Sequence, residues 1–290
     1  MKKVLKRTKV KNAVSWEITS AIVSVFFFLL SFFFVYILFW LMMSTLKTHT
    51  EIVVNPFKLP KKLMWSNYKD MLSVFTYNNT SFGGMLFNSV WHSVGGAVIQ
   101  VWSTCSIAYL SQKYKFPGAK LIAPFVMFTI LFPLYGTGGA SYRLIFKMGF
   151  ANSPLILITA GMFLTWNFFY FQAFFATLSW SYAEAAFIDG ANDWQVYYKI
   201  MLPQSMGIIG AIGIGVWATT WQDYGSQILY LTKLPTLSVG IYYFKQQMVY
   251  RARMDVLYCA CFISSIPIIL LYGCFNKLLF KNISLGGIKM

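Results

Sequence analysis

FFFLLSFFFVYILFWLMM, residues 26–43, runs for eighteen positions without a charged side chain. It does not alternate between apolar and polar residues, as a barrel strand with one face in lipid would. It lies within a longer charge-free run, 18–46. About 20 apolar residues rising ~1.5 Å each cross a hydrocarbon core roughly 30 Å thick, so this run is long enough to span a membrane as a helix. Five further runs lack formal charge: 71–112, 121–142, 148–183, 200–222 and 256–276. Of the 290 residues, 58% are hydrophobic and 11% charged, against about 25% charged in soluble domains. The pattern predicts an all-α integral membrane protein with six transmembrane helices, at about 18–46, 84–111, 119–140, 154–178, 204–224 and 256–279.

The charges between the runs set the remaining layout. The net charge is +16, but the lysines and arginines gather at span ends and not along one soluble face, so lipid is the expected partner and nucleic acid is not. Lys2, Lys3, Lys6, Arg7, Lys9 and Lys11 make residues 1–17 a basic tail. The apolar run behind it exceeds the 7–15 residues of a signal-peptide core and ends without a small-x-small cleavage pattern, so it reads as the first span. With the N-terminus inside, 13 cations fall inside and 11 outside. The inside set is dense in the tail, the 111–120 turn and the C-terminal tail 283–290, which favours an N-in, C-in arrangement. The permease domain then covers 18–282, with external loops at 47–83 and 225–255.

Catalytic chemistry is not legible in this chain. There is no G-x-x-x-x-G-K-[ST] loop to cradle a nucleotide, so the chain reads as no enzyme. Cys105, Cys259, Cys261, Cys274, His49 and His92 are scattered over or beside spans. Cys259 and Cys261 point about 200° apart on a helix, so no metal is expected.

The densest acidic cluster lies between the fourth and fifth runs, in SYAEAAFIDGANDWQVYYKIMLP, residues 181–203. Ser181-x-x-Glu184 has the capping-box form and predicts a short helix starting there. Asp189-Gly190 follows, and its glycine allows the left-handed backbone that stops a helix. A second short helix is expected from Asn192-Asp193, ending where Leu202-Pro203 enters the fifth span. The predicted object is a helix–turn–helix on the cytoplasmic face.

Glu184, Ala185, Ala186, Gly190, Ile200, Leu202 and Pro203 stand at the spacing of the EAA signature, and here the sequence resembles the permease subunits of binding-protein-dependent ABC importers. The resemblance narrows to the carbohydrate branch, which includes maltose and oligosaccharide permeases, through Asn55-Pro56-Phe57, Leu59-Pro60, Asn67-Tyr68, Asn88-Ser89, Trp221-Gln222-Asp223, Pro235-Thr236-Leu237, Val239-Gly240, Pro267 and Gly286-Gly287-Ile288-Lys289. Gln222 departs from the commoner asparagine, and Asn276-Lys277 from Gln-Lys. The resemblance implies half of a translocation pathway in a bacterial-type plasma membrane. Its implied partners are a second related permease in a heterodimer, two ATPase subunits that bind ATP and Mg, and an extracellular solute-binding protein, with no cofactor in this chain. It further implies that Glu184, Ala185, Ala186, Asp189, Gly190, Ile200, Leu202 and Pro203 couple to the ATPase. The alternatives are an ABC importer for another solute, or an ion-coupled transporter, for which several intramembrane carboxylates would be expected.

Three further sets of residues stand out. Asp223 is a carboxylate at the end of a span, and Trp166, Asn167, Gln172 and Trp221 are polar or aromatic intrusions into apolar sequence, so these five are read as a substrate pathway. Gly207, Ala211 and Gly215 form a small-residue stripe on which another helix can pack.

Overall fold

The computed structural model describes residues 2–132, 139–162, 164–247 and 253–283, and it is helical almost throughout, with one two-stranded ribbon. Among the described residues, three helices are long and apolar enough to cross a membrane: Trp16–Thr45, Phe82–Lys113 and Met254–Phe275. A fourth span forms if the helices Asp193–Gln204 and Met206–Gln222, bent by 73° at their junction, are taken as one. The expected third span, 119–140, holds the helix Ala119–Leu131 but runs on into residues 133–138, outside those described. The expected fourth, 154–178, is two helices with a break around Leu164–Trp166. The stretch 284–290, with its Gly-Gly-Ile-Lys, and residues 248–252 of the expected last external loop also lie outside the described residues.

The chain divides into two compact units, residues 1–71 with 251–262, and residues 72–250 with 263–290. In the first, α1 (Lys2–Thr45) carries the opening apolar run, and none of its most apolar window is buried within the chain. Phe26, Phe27, Phe28, Phe32, Phe33 and Phe34 all face outward, a surface suited to lipid tails. At the end of α1 the chain turns into α2 (His49–Val54) and then α3 (Ser66–Val74). The turn is pinned by side chains. Asn67 Nδ2 donates to Thr45 O and Lys47 O, both at 2.8 Å, and so satisfies carbonyls that the helix end leaves free. Lys47 is buried, with Nζ donating to Pro56 O at 2.7 Å, and Trp40 Nε1 donates to the same carbonyl at 2.8 Å. Arg253 closes this unit, bonding Asp70 and Asp255 at 2.9 Å each.

The second unit is built around α4 (Phe82–Lys113). Against it pack α5 (Ala119–Leu131), α7 (Leu157–Met162), α8 (Asn167–Thr177), α12 (Met206–Gln222) and α14 (Leu237–Gln246). The ribbon before α4, β1 (Thr76–Tyr77) and β2 (Thr80–Ser81), turns through Asn78 and Asn79, both at positive φ (47° and 59°), the backbone a two-residue hairpin of this hand requires. Phe168, Phe171 and Phe175 lie on one helical face of α8 and are fully buried, while Tyr170 on the other face is 60% exposed. Two sequence pairs that carry the resemblance meet here. Ser89 Oγ accepts from Leu237 N at 2.7 Å, capping α14 from another helix, and Asn88 Nδ2 donates to Pro235 O at 3.0 Å.

Within this chain, close packing at a glycine is seen off the stripe, at Gly161. A Cβ on Gly161 of α7 would lie 2.9 Å from Ile99 Cγ2 and 3.3 Å from Ser103 Oγ of α4, whereas one on Gly215 would meet nothing within 4 Å in this chain. The stripe residues Gly207, Ala211 and Gly215 are only half-buried. Gly161→Leu should therefore destabilise the purified chain by about 1–3 kcal/mol through overpacking, and Gly215→Ala should not. Thermal unfolding in detergent checks this pair.

Candidate functional site

The segment 181–203 folds as two short helices and a sharp turn. α9 (Ser181–Ile188) ends at Asp189, and Gly190 follows at φ +81°. Gly190 N–H then donates to Phe187 O at 3.0 Å and Ala191 N–H to Ala186 O at 2.9 Å, the paired bonds that close a helix on a left-handed residue. At the start of α9 the expected capping box is absent. Ser181 is already the first helical residue, Glu184 N–H donates to Trp180 O at 3.1 Å, and Ser179 Oγ accepts from Ser181 N–H at 3.3 Å. With Ser181 inside the helix its side chain cannot take the cap position, so Glu184 is left with its carboxylate exposed. The reciprocal box forms eleven residues later instead. Asn192 Oδ1 accepts from Gln195 N and Gln195 Oε1 from Asn192 N, both at 2.9 Å, and these open α10 (Asp193–Val196).

From α10 the chain passes through a π-helical turn, Tyr197–Met201, into α11 (Leu202–Gln204). Pro203 lies in the first turn of α11, where its missing N–H costs nothing, so the break before α12 falls at Ser205 and not at the proline. Ala183, Ala186, Val196, Tyr197, Met201 and Leu202 are buried in one cluster with Phe168, Phe171 and Phe175, and Ile200 is half-buried against it. The opposite side is open: Ile188 is 86% and Trp194 69% exposed, with Glu184, Ala185, Asp189, Gly190 and Pro203 exposed beside them. The signature residues thus divide into those that anchor the loop (Ala186, Ile200, Leu202) and those it displays.

Two bonds tie this loop to the turn after α4. Lys113 Nζ donates to Leu178 O at 2.6 Å, capping the end of α8, and Tyr114 Oη donates to Asp193 Oδ1 at 2.8 Å. Burial, and then hydrogen bonds to Tyr109 and Asp193, hold the Tyr114 hydroxyl well above the ordinary tyrosine value. A raised folded-state pKa contributes stability that is complete below about pH 10, the unfolded value, and lost as pH rises through the folded one. Tyr114→Phe, which removes the titrating group, should loosen the loop at neutral pH and flatten any further loosening above pH 10. Limited proteolysis between residues 178 and 192, followed against pH, measures both effects.

At the other end of α12, a cavity of about 760 Å³ opens between α4, α6 (Gly139–Lys147), α7, α12 and α13 (Gly225–Tyr230). Its polar lining includes His92, Thr219, Thr220, Asp223, Ser226 and Gln227. Asp223 is the C-cap of α12, where the helix dipole disfavours negative charge, so its position is poor for stability. Its Oδ1 accepts from Ser226 N at 3.3 Å, and Ser226 Oγ bonds Oδ2. Gln227 is buried and donates to Thr220 O at 3.1 Å, faces His92 Nδ1 at 3.4 Å and accepts from Thr236 Oγ1.

Of the five residues read as a substrate pathway, only Asp223 lines this cavity. Trp221 is buried, stacked on Trp217 at 5.3 Å, with Nε1 donating to Ser264 O at 3.1 Å. Trp166 and Asn167 stand at the start of α8 and Gln172 within it, none of them on the cavity lining. The sequence reading missed His92 and Gln227. His92 lies one turn beyond Asn88 on α4, which is a usable signal, but Gln227 lay in a stretch read as loop, where no helical face could be assigned.

Apolar spans, a bent helical pair joining a displayed loop to a span, and a polar cavity at that span's far end make this a polytopic membrane protein with a transporter's layout. No protein-family model matches the sequence. The chain is 26% identical over 251 residues to the diacetylchitobiose uptake system permease protein NgcG of Streptomyces coelicolor, covering 85% of this chain and 82% of that one. It is 22% identical over 286 residues to the arabinooligosaccharides transport system permease protein AraQ of Halalkalibacterium halodurans, covering 98% and 99%. Its fold matches a solved bacterial ABC transporter involved in the import of the acidic polysaccharide alginate, with a TM-score of 0.74 at 18% identity over 90% of this chain and 96% of that one. The chain is a homologue of sugar and oligosaccharide ABC transporter permeases, as the EAA loop suggested.

Proposed function

We propose that this chain forms half of the translocation pathway of an ATP-driven importer for sugars or oligosaccharides in the plasma membrane. In this reading it pairs with a second, related permease and crosses the membrane six times with both termini inside. An external solute-binding protein delivers the solute, and two separate ATPase subunits bind ATP and Mg. The observation that carries the reading is the loop 181–203. It is anchored by Ala186 and Leu202, reversed at Gly190, and displays Glu184, Ile188 and Trp194 outward. The permease names of the relatives support the same conclusion. The half-buried stripe Gly207, Ala211, Gly215 suits close approach by a helix of the second permease.

Sidedness is tested by single cysteines in intact cells. One replacing Gly190 should be shielded from an impermeant thiol reagent and one replacing Lys62 should react. External labelling at 190 would remove the coupling role altogether.

Coupling is tested at the same glycine. A Cβ at Gly190 meets nothing within 4 Å, so a substitution there acts through the backbone alone. At φ +81° a β-branched residue costs about 1–2 kcal/mol, which tilts α9 against α10 without touching the spans. Gly190→Val should leave insertion and permease pairing near normal, lower the ATPase recovered per permease, and uncouple hydrolysis from uptake in proteoliposomes. Normal values of the last two would refute the claim.

A further inference from the structure

The polar cavity carries fixed charge of one sign only. Among the described residues that line it there is one carboxylate, Asp223, and neither lysine nor arginine. Its other polar groups include the hydroxyls of Thr219, Thr220 and Ser226, the amide of Gln227 and the imidazole of His92. Gln227 cannot turn its amide toward a solute, because its nitrogen donates to Thr220 O and its oxygen accepts from Thr236. Ser226 spends both its N–H and its O–H on Asp223. A carboxylate offers about four acceptor sites, so Asp223 keeps capacity for donors from a solute. A saccharide hydroxyl brings such a donor. A second carboxylate brings none and is repelled, and at an effective dielectric near 20 and a separation of about 6 Å that repulsion lowers occupancy on the order of 10- to 100-fold.

We propose that this chain's share of the pathway selects uncharged, hydroxyl-rich saccharides over uronic-acid oligomers, with Asp223 as the specificity-determining residue. This rests on the sugar-importer reading above. The cavity's volume of about 760 Å³ lies within the range of small-ligand sites. Asp223→Asn keeps an oxygen to accept from Ser226 N–H while removing the charge. Thr219→Lys places a cation on the same wall from an exposed position on α12.

The test is equilibrium binding of maltotriose, chitotriose and trigalacturonate to the complete transporter in detergent, without the binding protein, whose own selectivity would mask the effect. In the wild type at least one neutral trisaccharide should bind about tenfold or more tighter than trigalacturonate. Asp223→Asn should shrink that ratio to within about threefold, and Thr219→Lys should reverse it. The proposal is overturned if trigalacturonate binds the wild type as well as the neutral sugars do, or if neither variant moves the ratio. If no saccharide of either kind binds, the sugar reading itself falls and takes the selectivity with it.

Discussion

A helix end packed away from water cannot leave its free carbonyls and N–H groups unserved, and several polar side chains of this protein meet that demand. Asn67 serves carbonyls at the end of α1, Ser89 an N–H at the start of α14, Lys113 a carbonyl at the end of α8, and Trp221 the carbonyl of Ser264 within the last helix. These bonds join residues from 20 to 148 positions apart in the chain. Each serves a backbone group that would cost several kcal/mol if it were buried without a partner.

The cavity and the loop lie on one rod. α12 has seventeen residues, or about 25 Å of helix, with the 73° joint to the loop at its start and Asp223 at its end. In the proposed mechanism a tilt of the loop against the ATPase would move the joint, and the rod would carry that movement to the cavity. Gly213 and Gly215 point about 200° apart on the helix, and an added Cβ at either meets nothing within 4 Å, so the rod has open ground on two faces in this chain. Such a surface allows either a neighbouring helix or sliding, and the alternation of a transporter uses both.

What could be read from the sequence follows from which interactions are local. Positive φ at Gly190, the two short helices and the long apolar helices depend on neighbours within a few residues, and the sequence announces them. The cap of α9 falls one residue before the expected Ser181, at Trp180, which has no capping side chain, and the Ser179 hydroxyl accepts from Ser181 N–H instead. Pro203 suggested a break that falls instead at Ser205, since a proline in a first helical turn does not interrupt it. The cavity was legible only at Asp223. Trp221, its neighbour but one, points the other way on the helix into packing, and His92 reaches Gln227 across 135 residues, a pairing that no local pattern encodes.

The resemblance motifs also gain a physical account. Asn88-Ser89 and Pro235-Thr236-Leu237 are one device, since the Asn88 amide donates to the Pro235 carbonyl and the Ser89 hydroxyl accepts from the Leu237 N–H. Asn55-Pro56 and Asn67-Tyr68 form a second at the exit of α1, where Lys47, Trp40 and Thr45 meet them. Each device rests on a few hydrogen bonds worth about 1 kcal/mol apiece. The charge-assisted bond from Tyr114 to Asp193 is worth about 1.5–3 kcal/mol at most, and less where solvent reaches it. A coupling free energy between two sites is typically ~1–3 kcal/mol. The loop's polar tie to Tyr114 is thus no larger than the signal it is proposed to carry, while its buried residues are packed into one cluster with the phenylalanines beneath it. A partner pulling on Ile188 and Trp194 could therefore release that tie while the shared cluster carried the movement into the helices beneath.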